Sequence, residues 1–396
     1  MNIIKNKTIS IYLISLFFFS AFYLFQKHTV GNDSTISEWL INYEGGFTKR
    51  GLIGQISVYL SYIFDIKLRV SILIFQILII GIYYLLLHNF LLNLRLDNII
   101  IFSIFSPIFI LYPVAEIEVL ARKETFLYSF FLLYFLLKNE TYRNVYKIII
   151  LPIAILIWEP VIFFFPYWFM IDFLEKKNDN IFKTFSKTFL YYLPAILIAA
   201  YIAFNPISSE NHLQMANFLK TTFNENCYMS CGLLLTKSTI YDQHHAVIIL
   251  LNFERILRYL LVILVGFGPL IILLKYSVFE KLNSLIISIM VSFPIIILFL
   301  MMTDWGRVVN MYYSFSILTY LYLYKNKKVY ITKSIQNNFF NKLFQNKKIL
   351  IIFFIVFAFG WNPKTSVVGD VGSKPGYQIP RKAIKIIYYK YIKNNF

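Results

Sequence analysis

Four short stretches of this chain gather residues able to hold an anion or to move a proton. Between Trp39 and Gly54 stand Glu44, Lys49 and Arg50 among Gly45, Gly46, Gly51 and Gly54, four of the chain's fourteen glycines within ten residues. Glycine admits positive φ and close backbone approach, so amide N–H groups there can cradle a phosphate while Lys49 and Arg50 supply charge. Asp33 and Glu38 belong to the same short loop. The pattern equally suits a tight turn into an interfacial helix, with Lys49 and Arg50 pairing to lipid phosphates.

The second stretch holds Glu116, Glu118, Arg122, Lys123 and Glu124, five charges in nine residues between apolar runs. Helical spacing stacks Glu118 on Arg122 at i,i+4. Such a cluster is either a self-neutralising turn or the lining of a cavity, because lone charge beside hydrocarbon is costly. The third stretch, Asp304-Trp305-Gly306-Arg307, is wedged between two apolar runs, with its acid and arginine spaced to pair across one turn. The fourth is Glu159 before Pro160, which interrupts a long apolar segment and reads as a helix break, a site carboxylate, or both.

Other chemistry is thin. His244 and His245 beside Asp242 lack a third ligand at metal spacing. Cys227 and Cys231 are the only cysteines, enough for one bridge but not for a disulfide scaffold or a four-ligand zinc site. There is no phosphate-binding Walker loop, nucleophile elbow, zinc-protease motif or dinucleotide fingerprint. Nothing here calls for a cofactor or a metal.

The elements that must position these residues follow from composition. A chain of 396 residues that is 58% hydrophobic and only 15% charged is too apolar for an ordinary soluble domain. It reads as all-α, a polytopic integral membrane bundle of about ten to eleven helices. The strongest runs are Ile9 to Phe25, Val70 to Leu87, Ile99 to Val114, Phe126 to Leu137, Ile148 to Trp158 and Val161 to Leu174. Phe189 to Phe204, Tyr259 to Leu274, Leu285 to Met302, Val308 to Tyr324 and Ile349 to Trp361 complete the set. Leu52 to Phe64 is short and carries Gly54, Gln55, Ser57 and Ser61, so it is expected to lie in the interface as an amphipathic helix.

The net charge of +18 comes in short basic bursts between apolar runs, which suits anionic lipid headgroups rather than nucleic acid. With Leu52 to Phe64 off the count, Lys138/Arg143/Lys147, Lys176/Lys177/Lys183/Lys187 and the loop 325–348 all fall on the cytoplasmic side, as basic loops should. The amino terminus, with Lys5 and Lys7, is then cytoplasmic and the first run an uncleaved anchor. A single transmembrane domain, 1–396, thereby carries external loops at 26–69 and 205–258. The basic tail 362–396 also falls outside and is the misfit of this map.

Together the first external loop with its acids, the interfacial helix behind it and the further charged external loops resemble the layout of polytopic enzymes acting on lipid-linked sugars. The segments NYEGGFTKRGLIG and DWGR are similar to short signatures of bacterial surface-polysaccharide proteins, GT-C type glycosyltransferases and O-antigen polymerases among them. The resemblance implies glycosyl transfer outside the inner membrane, from a polyprenyl-(pyro)phosphate-linked sugar or oligosaccharide, alongside membrane lipids and other polysaccharide-assembly proteins. It implies Glu44, Glu118 or Asp33 as the base, and Lys49, Arg50, Arg122, Lys123, Glu159, Asp304 and Arg307 as substrate-binding groups. The first expectation is polymerisation of lipopolysaccharide O-antigen repeat units. Transfer of one sugar from a polyprenyl monophosphate, and transport of a lipid-linked oligosaccharide, are the rivals.

Overall fold

The computed structural model describes residues 6–30, 34–92, 94–176, 180–236, 239–280, 284–332 and 346–365. Asp33, the centre of the 325–348 loop and the tail beyond residue 365 lie outside them. Among the described residues the chain is helical apart from one two-stranded antiparallel sheet, β1 (Ser277–Phe279) against β2 (Val329–Ile331).

The helices are α1 (Asn6–Val30), α2 (Gly51–Phe64), α3 (Leu68–Leu91), α4 (Asn98–Ile104), α5 (Glu124–Leu136), α6 (Glu140–Ile157) and α7 (Phe165–Glu175). They continue as α8 (Ile181–Phe204), α9 (Ser209–Phe223), α10 (Ile240–Leu250), α11 (Phe253–Lys275), α12 (Ser284–Met301), α13 (Trp305–Lys325) and α14 (Lys347–Phe359). Side-chain caps start many of them: Asn139, Asn180, Ser208, Asn252 and Asn346 each accept a first-turn amide, and Thr239 with Asp242 forms a capping box on α10.

Four helices among the described residues, α1, α3, α8 and α11, are long and apolar enough to cross a membrane. α13 is as long but carries Asn310, Ser314, Thr319 and several tyrosines, and it is buried along nearly its whole length. α5, α7, α11 and α12 surround it. A helix wrapped by protein does not have to be apolar, so α13 is the axis of the bundle although its composition is modest.

The structure differs from expectation in three places. The run Ile99 to Val114 is not one helix: α4 stops at Ile104, and residues 105–111 pass through the core as irregular, buried chain before a short turn at Tyr112–Ala115. Pro107 and Pro113 explain the break, since proline lacks an N–H and disfavours helix at the preceding residue. The freed polar groups find partners on neighbouring helices. Asn310 Nδ2 donates to the carbonyls of Ile108 (2.8 Å) and Phe109 (3.0 Å), Tyr313 OH donates to Ser103 O (2.8 Å), and Ser106 Oγ donates to Gly266 O (2.8 Å).

Second, Arg143 and Lys147, expected in a basic cytoplasmic loop, lie inside α6 and are buried. Lys147 pairs with Asp172 (2.5 Å), while Arg143 pairs with Glu175 and donates to Tyr322 OH (2.8 Å). The counter-charges, on α7, are too far away in sequence for local charge counting to find. Third, α2 is amphipathic in an inverted sense. Gly54, Gln55, Ser57 and Ser61 face the protein, and Tyr59, Tyr62, Ile63 and Phe64 face outward. The break at Glu159-Pro160 forms as expected, as a 3₁₀ turn from Glu159 to Phe164.

Asn310 also accepts from Tyr128 OH (2.8 Å), so one amide satisfies three buried groups. Asn310→Leu should therefore cost about 2–4 kcal/mol by leaving the Ile108 and Phe109 carbonyls orphaned. The detergent-solubilised protein would show this as a lowered thermal midpoint, and an unchanged midpoint would mean another donor serves those carbonyls.

Candidate functional site

Two hydrogen bonds stitch the segment before α2 to the turn that precedes α5. Trp39 Nε1 donates to Ala121 O (3.0 Å) and Thr35 Oγ1 to Glu118 O (3.4 Å). Gly54 lets the first turn of α2 lie directly on this segment, because a Cβ there would stand 1.9 Å from Ile41 O. Arg50 precedes α2 with φ 65, a left-handed backbone that fixes where its guanidinium enters the site.

Glu38 sits at the centre with 0% exposure. Its Oε2 accepts from Arg122 Nε at 2.9 Å, and its Oε1 lies 3.7 Å from Arg50 Nη1 and 3.8 Å from Arg307 Nη2. Around this core each arginine has a further acid. Arg50 grips Glu159 through Nη2–Oε1 (2.7 Å) and Nε–Oε2 (2.8 Å). Arg307 pairs with Asp304 (2.8 Å) and with Glu124, and Arg122 reaches Asp304 at 3.5 Å. The Lys123 ammonium, also fully buried, donates to Arg50 O.

Electrostatics follow from this packing. Burial alone would raise the Glu38 carboxyl, but Arg122, Arg307, Arg50 and Lys123 hold it down at about 2. Lys123 is pushed the other way: burial lowers it to about 7, against the opposing pull of Glu38, Glu159 and Glu124. Glu159 is partly buried, which would raise its carboxyl, yet Arg50 and Lys49 keep it below the usual carboxylate range.

In front of the cluster lies a cleft of about 140 Å³, bordered by Lys49, Arg50, Arg122 and Arg307 with Asp304. Ser230, Gln243 and Thr303 add neutral polar groups, and Leu233, Leu234, Met301 and Met302 form an apolar lip. A larger groove of about 240 Å³ between α4, α11 and α14 is walled by groups such as Phe102, Val265 and Phe357, so it offers no charge chemistry. The smaller cleft is the one equipped for it: a planar guanidinium fork suits phosphate oxygens, and Asp304 can accept a proton.

Five residues singled out in the sequence thus border the cleft, namely Lys49, Arg50, Arg122, Asp304 and Arg307. Lys123 and Glu159 stand behind them as partners. Glu44 is exposed and holds Gln55 Nε2 (2.7 Å), while Glu118 is exposed on its 3₁₀ turn. Neither borders the cleft, and Asp33 is outside the described residues. Arg122 turns to Glu38 rather than stacking on Glu118, because Ile117–Val119 is 3₁₀ and Ala121 has φ 54. The glycines serve close packing rather than an amide cradle. Gly45 lies on the Asn211 carbonyl of α9, Gly51 on the Tyr43 ring, and of the four glycines only Gly46 has positive φ.

Reading the sequence left Glu38 and Glu124 without a role. The signal available was charge balance, since buried cations need acids: Glu124 adjoins Lys123 in sequence, whereas only the fold brings Glu38 to its arginines. Asp242 is occupied as a helix cap, His244 Nδ1 bonds Leu300 O (3.0 Å), and Cys227 is bonded to Cys231.

Gly306 shows how the floor is built. Its N–H donates to Thr365 O (3.0 Å), Tyr259 OH donates to Lys364 O (3.0 Å), and a Cβ on Gly306 would stand 1.9 Å from that same carbonyl. Gly306→Ala should displace residues 361–365 and expose the Lys364 peptide bond to trypsin, whereas Gly268→Ala, with open space around it, should not. Glu38→Gln should cost about 3–5 kcal/mol, because it removes the common partner of buried cations. With the folded-state value below the ordinary one, the Glu38 contribution is complete above pH 4.5 and lost as pH falls towards 2, which thermal midpoints across that range would record.

No protein-family profile, curated protein or solved structure matches the chain.

Proposed function

We propose that the protein is a polytopic membrane glycosyltransferase that draws on a polyprenyl-(pyro)phosphate-linked sugar and extends a bacterial surface polysaccharide. The observation that carries this reading is the cleft itself, in which Lys49, Arg50, Arg122 and Arg307 converge from three distant segments beside an apolar lip. Such a site suits an amphiphilic anion, its phosphates on the arginines and its hydrocarbon over Leu233, Met301 and Met302. In the membrane reading the cleft opens on the outer face of the inner membrane, with about ten to eleven crossings and a cytoplasmic amino terminus. The Cys227–Cys231 bridge, on the same side, fits an oxidising compartment.

In the proposed step the acceptor sugar hydroxyl attacks the anomeric carbon as its bond to the phosphate oxygen breaks. Asp304, the one carboxylate among the described residues that border the cleft, takes the hydroxyl proton, in place of Glu44 or Glu118. Arg50, Arg122 and Arg307 stabilise the departing (pyro)phosphate. They are already held in place by Glu159, Glu38 and Glu124, so little reorganisation accompanies the charge shift.

Transport is the second reading, and one observation favours it: the Arg143–Glu175 and Lys147–Asp172 pairs place ionisable groups in the bundle far from the cleft. Their mutual pairing suits a clamp between α6, α7 and α13.

Deleting the gene in its host and separating the surface polysaccharide on a gel tests the proposal. Collapse of the ladder to a single repeat, restored by the wild-type gene but not by Arg50→Ala, is the expected result. A ladder of unchanged length would reject polymerisation. Lys123 adds a pH test: its charge is lost as pH rises through about 7, which takes five basic groups against four acids to four against four. Affinity for sulfate, an anion that does not itself titrate there, should fall across that pH, and the fall should vanish in Lys123→Gln.

A further inference from the structure

Residues 225–234 form a strap along one wall of the cleft. Arg69 grips Glu225 at its start through Nη2–Oε2 (2.9 Å) and a second bond at 2.5 Å. The Cys227–Cys231 bridge closes the next turn. Ser230 lies inside that turn and touches the site: its Oγ accepts from Arg122 Nη2 (3.1 Å), and its N–H donates to Ser37 Oγ (3.2 Å). Leu233 and Leu234 follow directly as the apolar lip.

Three details make this bridge more than a staple. Cys227 is partly exposed, whereas Cys231 is buried, which makes Cys227 the more accessible of the two. His212 Nε2 lies 3.1 Å from Cys231 O and 3.6 Å from Cys227 Sγ. A carbonyl only accepts, so that nitrogen carries a proton and is placed to receive a thiolate on Cys227. Finally, Met229 within the turn has φ 40, a left-handed conformation that a side-chain-bearing residue keeps only where its surroundings hold it. Opening the bridge lets Met229 relax and carries Ser230 with it.

We propose that the Cys227–Cys231 disulfide is a redox modification site that sets the shape of the cleft through Ser230 and Arg122. A dithiol reductant attacks Cys227 Sγ, the S–S bond breaks with its electron pair on Cys231, and Cys231 takes a proton. The second thiol of the reductant then displaces Cys227, which leaves as a thiolate beside His212 and is protonated. Two electrons and two protons pass to the protein, and the reductant becomes a disulfide. In the bridged form Ser230 holds the outer nitrogen of Arg122. In the reduced form the strap moves off, Arg122 gains solvent access, and the wall of the cleft is lost.

The test uses the full-length protein in detergent with and without dithiothreitol, thiol alkylation reporting the state of the bridge. Phenylglyoxal labelling of Arg122, read by peptide mass spectrometry, should be slight in the bridged form and rise severalfold on reduction. Affinity for inorganic pyrophosphate at constant pH should weaken about tenfold, the scale of one hydrogen bond to a charged group. Ser230→Ala should show the weakened affinity while still bridged and should not respond further to reductant. Unchanged Arg122 labelling after both thiols have been alkylated would overturn the proposal. Its binding arm rests on the glycosyl-transfer reading and its labelling arm does not. A rise in labelling with no pyrophosphate binding in either state would therefore remove that reading and leave the redox site standing.

Discussion

An ionised carboxylate without exposed surface survives only where cations surround it, and Glu38 sets that condition for the whole end of the bundle. Its partners come from the start of α2, from the turn before α5 and from the first turn of α13, so satisfying one acid pins three distant parts of the chain to one point. The desolvation cost of such a group is several kcal/mol, which makes the arrangement all or nothing. The cleft in front is a consequence of that convergence: the arginines that neutralise Glu38 border it together with Lys49 and Asp304.

Part of this was legible in the sequence. The Asp304–Arg307 pair and the interruption at Glu159 are local, within reach of helix spacing and proline chemistry, and both formed. The glycine-rich segment stands out in composition, but the reason lies in packing that spacing does not reveal: its glycines admit a carbonyl, a ring and a neighbouring helix, and only the tertiary structure supplies those neighbours. Glu38 could not be told from Asp33 or Glu44 by spacing, because which acid turns inward depends on Trp39 reaching Ala121 across the fold.

Hydropathy was blind in a related way. It counts apolar side chains, and so it reads residues 99–114 as a helix; it does not count backbone hydrogen bonds, which in 105–111 come from local turns and from Asn310 on α13. The same logic turns α2 inside out. In a hydrocarbon solvent the apolar face of a helix needs no protein to cover it, and the hydroxyls and amide of Ser57, Ser61 and Gln55 do. Interior polarity is thus the organising feature here, as burial of apolar side chains is in water.

The contact between Gly306 and residues 364 and 365 has a consequence for biosynthesis. A chain leaves the ribosome from its amino terminus, and Glu38, Arg50, Arg122 and Glu159 emerge long before Arg307, with Lys364 later still. The early charges therefore wait with part of their complement missing, and residues 364 and 365 meet Gly306 only after α13 has been made. A chain halted before Lys364 would thus carry every residue that borders the cleft while the start of α13 still lacks the contact that holds it.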